Sequence, residues 1–290
     1  MSKLIMLSGL PGSGKSTKAK EIVAQGNWIR VNRDLLRTML HFDKFTGRNE
    51  GMTVDVEKSI ARTALVLGSN VVVDDTNLNP KNKEMWKSIA KDCNAQFEHI
   101  HINTSPQDCI NRDIIRHNSV GREVILNMAL QSGIYEHKSD KGFVLCDLDG
   151  TLCDIKHRLC YVKVPEGEKK DWKKFFDEIR NDTPRPEVVE LVNNFAREGH
   201  PIIFVSARPD TYKAETTLWL LDNFKAPYFT LIMRSGQDKR PDTEVKREMY
   251  EKYFKNKYPV HTVIDDRPSV IRMWREEGLN VIDVGGGVEF

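Results

Sequence analysis

Gly9-Leu10-Pro11-Gly12-Ser13-Gly14-Lys15-Ser16 is a glycine-rich run closed by a lysine and a hydroxyl, the residue types a chain needs to cradle phosphate. Glycine lets successive backbone N–H groups converge on one anion, and a helix opening at the end of the run adds the positive end of its dipole. The spacing allows the Lys15 ammonium to reach β- and γ-phosphates and the Ser16 hydroxyl to ligate magnesium. Gly12, Ser13, Gly14 and Thr17 complete the expected site for ATP or another nucleoside triphosphate. An apolar run at 4–7 precedes the segment and a helical pattern follows it. That context separates a phosphate loop from a chance glycine turn.

Binding a triphosphate leaves open where its γ-phosphate goes. Transfer to a hydroxyl needs a carboxylate to take the proton and a cation to hold the acceptor. Asn32-Arg33-Asp34-Leu35-Leu36-Arg37 offers both. Asp34 and Arg37 are three apart, on one face of a helix that starts where a doubly wound sheet has its ligand crevice. The same pair also reads as a helix cap beside a solvated arginine. Asp74-Asp75-Thr76-Asn77 closes the next strand, where acids can serve a metal shell, an acceptor or a plain turn. Arg112 and Arg116 lie one helical turn apart beyond the last strand of this half. Arginines on a mobile lid can neutralise a transferring phosphoryl group, and a surface helix would carry them too.

A second set begins at Val144-Leu145-Cys146-Asp147-Leu148-Asp149-Gly150-Thr151, with two aspartates two apart at the end of an apolar strand. Residues i and i+2 of an extended segment share a face. Carboxylates that close repel unless a metal or a proton is shared, and magnesium favours such oxygen ligands. Ser206, followed by Arg208, ends another apolar run, Asp265 and Asp266 end a third, and Lys246 lies in the helix between. Parallel sheets assemble their sites at these carboxyl ends. The expected chemistry is phosphate hydrolysis through an aspartyl-phosphate on Asp147, with Asp149 as acid and then base. Ser206 and Lys246, with Arg208 beside them, would hold the substrate. Asp147, the backbone carbonyl of Asp149, and Asp265 or Asp266 would hold magnesium.

The elements that must position these residues alternate as short apolar runs and helical patterns, the signature of parallel α/β architecture. Strands are expected at 4–7, 28–31, 71–73 and 97–102, with helices near 15–25, 34–40, 53–67, 81–92 and 106–117. In the second half strands are expected at 143–146, 202–205, 228–232, 260–264 and 280–284, with helices near 186–198, 211–223, 242–255 and 268–276. The polar stretch Lys138-Ser139-Asp140-Lys141-Gly142 divides the chain into domains at 1–138 and 142–290. Residues 152–183 are charged and aromatic-spotted and break the rhythm, as an insertion over a site would.

Hydrophobic content of 39% and charged content of 30% fit an ordinary soluble protein. No apolar run approaches the roughly 20 residues of a membrane helix, so no membrane partner is expected. The start runs straight into a strand pattern, so no cleavable signal is expected. Five cysteines without a CxxC pair speak against a disulfide framework or a zinc site and for a cytoplasmic, reducing compartment. Cys146, Cys153 and Cys160, seven apart, read as small buried or incidental residues. A net charge of +2 confines any nucleic-acid site to a local groove. No aromatic-rich strand motif for single-strand stacking is evident.

Asp147 to Thr151, Ser206, Lys246 and Asp265-Asp266 resemble the haloacid-dehalogenase phosphatase signature. Gly9 to Ser16, Asn32-Arg33-Asp34-x-x-Arg37 and Asp75-Thr76-Asn77 resemble the 5′-hydroxyl polynucleotide kinase domain. In this order and at this length, nearly the whole chain is similar to the bacteriophage-type polynucleotide 5′-kinase/3′-phosphatase family. The Asn-Arg-Asp-x-x-Arg segment, Asp-Thr-Asn-Leu-Asn and the domain order are more telling than the phosphate loop or the aspartate motif, which many families share.

The resemblance implies an α/β chain: an N-terminal P-loop kinase, a parallel sheet with helices on both faces, then a haloacid-dehalogenase-like Rossmannoid phosphatase with a small insertion. It implies transfer of the ATP γ-phosphate to 5′-hydroxyl ends and removal of 3′-phosphate ends, with 2′,3′-cyclic phosphate left open. Asp34 would be the base, Arg37 and Asp75 would seat the nucleic-acid end, and Arg116 with Arg112 would be the lid pair. Asp147 would attack the 3′-phosphate with Asp149 as acid and base, while Arg234, Arg240 and Asp242 would position substrate. Magnesium would serve both domains. The partners would be RNA or DNA ends, further copies of the chain in a homotetramer, and a ligase in the same pathway, in the host cytoplasm if phage-encoded. His157-Arg158-Leu159 with Asp171-Trp172-x-x-Phe175 resembles stand-alone phosphatase relatives instead.

Two other readings share these motifs. One is a small-molecule P-loop kinase fused to a metabolic phosphatase, which near-neutral charge suits. The other is a nucleotide switch or nucleic-acid-binding module without turnover, which gives the second carboxylate set no purpose.

Overall fold

A computed structural model describes residues 1–44, 46–137, 139–165 and 167–285. The chain forms two compact units, Met1–Tyr135 and Glu136–Phe290. Lys138, the first residue of the expected boundary stretch, lies outside the described residues.

The first unit runs β1 (Lys3–Ser8), α1 (Lys15–Val23), β2 (Trp28–Val31), α2 (Arg33–His41), α3 (Gly47–Val66), β3 (Asn70–Asp74), α4 (Pro80–Asp92), β4 (Gln96–His101), α5 (Pro106–Ile114) and α6 (Arg122–Ser132). Its strands pair in parallel in the order β2-β3-β1-β4. Alternation along the strands builds two cores. Leu4, Met6, Val71 and Val73 pack with Leu65 of α3 and Trp86 and Ile89 of α4. Ile5, Leu7 and Val72 pack with Ala19 and Ile22 of α1 on the other face. Each buried aliphatic side chain contributes about 1.5–3 kcal/mol, which fixes the strand ends and the loops after them.

Three elements depart from the sequence pattern. Helix α3 begins at Gly47, ahead of the pattern at 53, because the Thr46 hydroxyl accepts from the Asn49 N–H at 3.1 Å and caps it. Helix α5 stops at Ile114, short of 117. The Asp113 carboxylate accepts from the Ser119 hydroxyl (2.7 Å) and from the Val120 and Gly121 N–H groups (2.9 Å each), folding the chain into a turn. Helix α6 is an addition: it buries Ile125, Leu126, Ala129 and Leu130.

The second unit runs β5 (Phe143–Cys146), β6 (Cys153–Asp154), α7 (Trp172–Asp177), β7 (Thr183–Pro184), α8 (Pro186–Arg197), β8 (Ile202–Pro209), α9 (Lys213–Asn223), β9 (Thr230–Arg234), α10 (Asp242–Tyr253), β10 (Val260–Asp265), α11 (Pro268–Glu276) and β11 (Val281–Asp283). Its parallel sheet has the order β11-β10-β5-β8-β9, so β5 lies at the centre. Val144, Cys146, Phe204 and Ile264 anchor the core beneath the strand ends. Strand β9 starts at Thr230 and not at 228, and Tyr228 packs its ring on Phe204 at 5.3 Å. The insertion is pinched at its base, where β6 pairs antiparallel with β7, Cys153 opposite Pro184 and Asp154 opposite Thr183. Between them lie a 3₁₀ turn over Lys156–Tyr161 and the short helix α7. Among the described residues no helix is long and apolar enough to cross a membrane.

Candidate active sites

In the first unit the loop between β1 and α1 carries the phosphate-cradle residues. Gly14 caps α1 with φ +106°, and Gly12 holds φ +78°, both in the left-handed region that glycine alone adopts freely. A Cβ on Gly12 would also lie 2.6 Å from the Cys109 carbonyl oxygen, so α5 closes against the loop. The Lys15 ammonium is buried and donates to the carbonyls of Gly9 (3.0 Å) and Leu10 (2.8 Å). Burial pulls its pKa down, opposed by Asp74. Burial pushes up the carboxyl of Asp74, at the end of β3, with Arg30 and Ser16 opposing. Arg112 donates to the Ser13 carbonyl at 3.2 Å and so sits on the loop. Arg116 pairs with Asp113 at 3.1 Å, is 43% exposed, and lies near enough to Lys15 to depress it.

The acceptor side is built by α2. Its cap is Asn32, whose side chain accepts from the Leu35 N–H at 3.0 Å and donates to the Asp74 carbonyl. Asp34 is therefore free of capping duty and its side chain is 84% exposed. Arg37 reaches Asp34 at 2.6 Å and Glu50 of α3 at 3.0 Å. Asp75 accepts from the Arg33 N–H at 2.9 Å, and the Arg33 guanidinium pairs with Glu57 at 2.9 Å. Glu57 is fully buried, and its carboxyl is pushed up to about 9, first by burial and then by Asp75. The Glu57 Oε1 and Asp75 Oδ2 atoms are buried without a hydrogen-bond partner, and the Arg33 guanidinium lies 3.7 Å from Asp75 Oδ2. Sequence spacing gave no sign of Glu57.

In the second unit Asp147 follows β5, Asp265 ends β10 and Lys246 projects from α10. The Lys246 ammonium, buried, lies 2.7 Å from Asp147 and 2.8 Å from Asp265. Burial opposes its charge, and the two carboxylates outweigh burial and raise its pKa. Oxygens of Asp147, Asp265 and Asp266 lie within 4.8 Å of one another. Burial, with Asp265 and Asp266 beside it and Lys246 opposing, pushes Asp147 up to about 8, and Asp266 is pushed up to about 6 by burial and Asp265. Three crowded carboxylates with one lysine are short of positive charge. The donors are all hard oxygens, so the cluster fits a divalent cation such as magnesium. The Thr151 hydroxyl donates to Asp266 at 2.9 Å, and Gly150, at φ +84°, leaves room for the Asp266 carboxylate that any Cβ would strike.

The Asp149 side chain does not join that cluster. Its Oδ1 accepts from Arg158 at 2.5 Å and from the Arg208 Nε at 2.9 Å. Both arginines also pair with buried Asp182, at 2.7 Å and 2.8 Å. Burial would raise the Asp149 carboxyl, but the two guanidinium groups hold it well below the usual carboxylate range. Arg208, expected to touch substrate, is fully buried, and its guanidinium is engaged by these acids. Arg158 and Asp182 belong to the insertion and its return, and sequence spacing alone gave no reason to join them to Asp149.

Asp147, Asp149, Ser206 and Lys246 open into a cavity of about 780 Å³ that Arg234, Arg240 and Asp242 also line. Arg234 and Arg267 both pair with Asp242, and Arg240 pairs with Asp238 at 2.6 Å and Glu248 at 2.5 Å.

Residues 141–288 match the family described as the polynucleotide kinase PNKP phosphatase domain, and residues 4–131 match the AAA domain family. A protein of Autographa californica nuclear polyhedrosis virus described as a bifunctional polynucleotide kinase/RNA ligase is 28% identical over 299 residues, 94% of this chain and 41% of the viral protein. The bifunctional polynucleotide phosphatase/kinase of Schizosaccharomyces pombe is 32% identical over 123 residues, 42% of this chain and 25% of that protein. The chain thus spans less than half the length of these relatives. A chain from a structure of the Pnkp1/Rnl/Hen1 RNA repair complex is 25% identical with a TM-score of 0.43, over 99% of this chain and 97% of that one. The phosphatase-domain match takes in more than half of the 290 residues, and the chain belongs to the polynucleotide kinase PNKP phosphatase family.

Proposed function

We propose that the chain heals nucleic-acid ends, phosphorylating 5′-hydroxyls with ATP in its first unit and removing 3′-phosphates in its second. The observation that carries this reading is the buried Asp147–Lys246–Asp265 arrangement in a unit of that phosphatase family. A phosphate loop with an open Asp34–Arg37 pair beside it supports the other half.

In the first unit Lys15 would exchange its bonds to the Gly9 and Leu10 carbonyls for phosphate oxygens, while the loop N–H groups hold the β-phosphate. Asp34 takes the proton of the 5′-hydroxyl, whose oxygen attacks the γ-phosphorus as the bond to the β-phosphate oxygen breaks and ADP leaves. Arg37 and Asp75 seat the acceptor, and Arg112 and Arg116 offset charge on the transferring group.

In the second unit Asp147 attacks the 3′-phosphorus and the ribose oxygen leaves with a proton. Water then attacks the phosphorus of the aspartyl-phosphate and gives its proton to Asp149, as the bond to the Asp147 oxygen breaks and inorganic phosphate leaves. Gripped by two arginines, Asp149 is held ionised and only weakly basic, so both its donation to the leaving oxygen and its acceptance from water require one of them to release it. Ser206 and Lys246 hold phosphoryl oxygens. Asp147, the Asp149 carbonyl and Asp265 or Asp266 would hold magnesium, which would supply positive charge to the phosphoryl group, and in the first unit Ser16 would be its ligand.

The viral relative's name joins a polynucleotide kinase to an RNA ligase, so the natural next reaction is sealing of the ends made here. The test is a panel of 5′-hydroxyl RNA, 5′-hydroxyl DNA, 3′-phosphate ends and free nucleosides, with labelled ATP. Asp34→Ala is expected to abolish phosphorylation and spare the phosphatase, and Asp147→Asn to do the reverse. Phosphorylation of nucleosides but not of oligonucleotides would overturn the reading, as would loss of both activities in either variant.

A further inference from the structure

We infer that Trp172 and Phe176 form a stacking platform for the nucleobase of the terminal nucleotide, so that the second unit selects base-bearing 3′-phosphate ends over bare phosphomonoesters. The inference rests on the end-healing reading and names how the same site chooses its substrate.

The cavity over Asp147 measures about 780 Å³, far more than a phosphoryl group fills and within the range that holds a nucleotide. Trp172, Phe175 and Phe176 line it from the insertion, together with Asp147, Ser206 and Lys246. Trp86, Trp219 and Trp274 are buried, yet Trp172 leaves 45% of its surface exposed. Its indole is held in one orientation. Phe176 stacks beside it at 6.0 Å and 23°, Phe175 meets it edge-on at 5.7 Å, and Tyr212 backs Phe176 at 5.4 Å. Phe175 is itself fixed, with the Arg158 guanidinium 4.2 Å from its ring centroid and donating to its carbonyl at 3.3 Å. The arginine that grips Asp149 therefore also sets the platform.

An exposed, preorganised aromatic wall gains nothing from inorganic phosphate, which is fully hydrated and has no apolar face. A nucleobase has a π-face to stack, and stacking tolerates any of the four bases. The same cavity carries exposed Lys239, a cation suited to the phosphodiester preceding the terminal nucleotide, beside Arg240, whose guanidinium is shared with Asp238 and Glu248. Lys170, 5.5 Å from the Trp172 ring centroid, adds positive charge at the rim. An apolar wall joined to a cationic one matches a nucleotide in both parts.

The test measures 3′-phosphate removal by the full chain with magnesium. The substrates are an oligonucleotide with a normal terminal nucleotide and the same oligonucleotide with an abasic one. Wild type is expected to favour the base-bearing end by about tenfold or more in kcat/KM. Trp172→Ala should lose that preference, mainly through KM, with the abasic rate and the 5′-kinase rate unchanged, and Trp172→Phe should keep most of it. Equal wild-type rates on the two ends would overturn the inference, as would an equal fall on both in Trp172→Ala, which marks a merely structural role. If neither oligonucleotide is dephosphorylated while p-nitrophenyl phosphate is, the end-healing reading itself falls and the platform with it.

Discussion

Replacing Lys246 by methionine removes the one cation seated between Asp147 and Asp265 while nearly preserving volume. Breaking a buried ion cluster by removing one partner costs about 3–5 kcal/mol, because the remaining charges stay out of water. In a unit of this size each kcal/mol moves the unfolding midpoint by roughly 2–4 °C, so the second unit should melt about 10 °C earlier in EDTA. Asp147 can relieve the deficit by binding a proton. Its folded pKa is already raised to about 8, so the stability tied to that proton is complete near pH 4 and is lost as pH rises. The deficit of the variant should therefore widen from pH 6 to pH 8.5. Saturating magnesium should narrow it by at least ~1.4 kcal/mol, since the ion replaces the missing charge. The assay is calorimetry of the full chain, the second unit's transition being the one that ATP does not move. A variant within ~1 kcal/mol of wild type in EDTA, or a gap that magnesium leaves unchanged, would refute the picture of a charge-balanced carboxylate cluster.

Gly12→Ala combines a positive φ with a Cβ 2.6 Å from the Cys109 carbonyl oxygen, so ATP affinity by titration calorimetry should fall at least about tenfold with the phosphatase intact. Gly26→Ala, at φ +82° in open space, should cost only about 1 kcal/mol of stability and leave ATP binding unchanged. Glu57, raised from 4.5 to about 9, contributes stability that is complete below about pH 4.5 and is lost as pH rises toward 9. Glutamine cannot ionise there. In urea titrations the difference between Glu57→Gln and wild type should shift in favour of the variant by at least ~1.4 kcal/mol between pH 6 and 8.5. A flat difference would mean that Glu57 ionises at its ordinary pKa.

What the sequence disclosed depended on how local the signal was. The phosphate loop is contiguous, and its glycines and lysine carry their own geometry. Asp147 and Asp265 are far apart, yet each falls at or beside the carboxyl end of a strand, and parallel order brings such ends together, while Lys246 reaches them from the helix after β9. The grip of Arg158 and Arg208 on Asp149 depends on where the insertion returns, which no periodicity encodes. Glu57 lies on α3, whose opening turns contain Gly47 and Gly51 and read as loop until the Thr46 cap is seen. Helix α6 opens at Gly121, which makes no side-chain cap, so its apolar spacing had no start signal.

The pairing of Cys153 and Asp154 with Thr183 and Pro184 brings the chain back beside the point where it left. Doubling the length of a loop closed in this way costs only about 0.6 kcal/mol of entropy. The excursion can therefore grow, shrink or change composition over evolutionary time while the strands beneath keep their register. The attacking aspartate and its acidic neighbours are thus written into the sheet, and the hood above them is open to retailoring wherever Arg158 and Asp182 stay in place to hold Asp149.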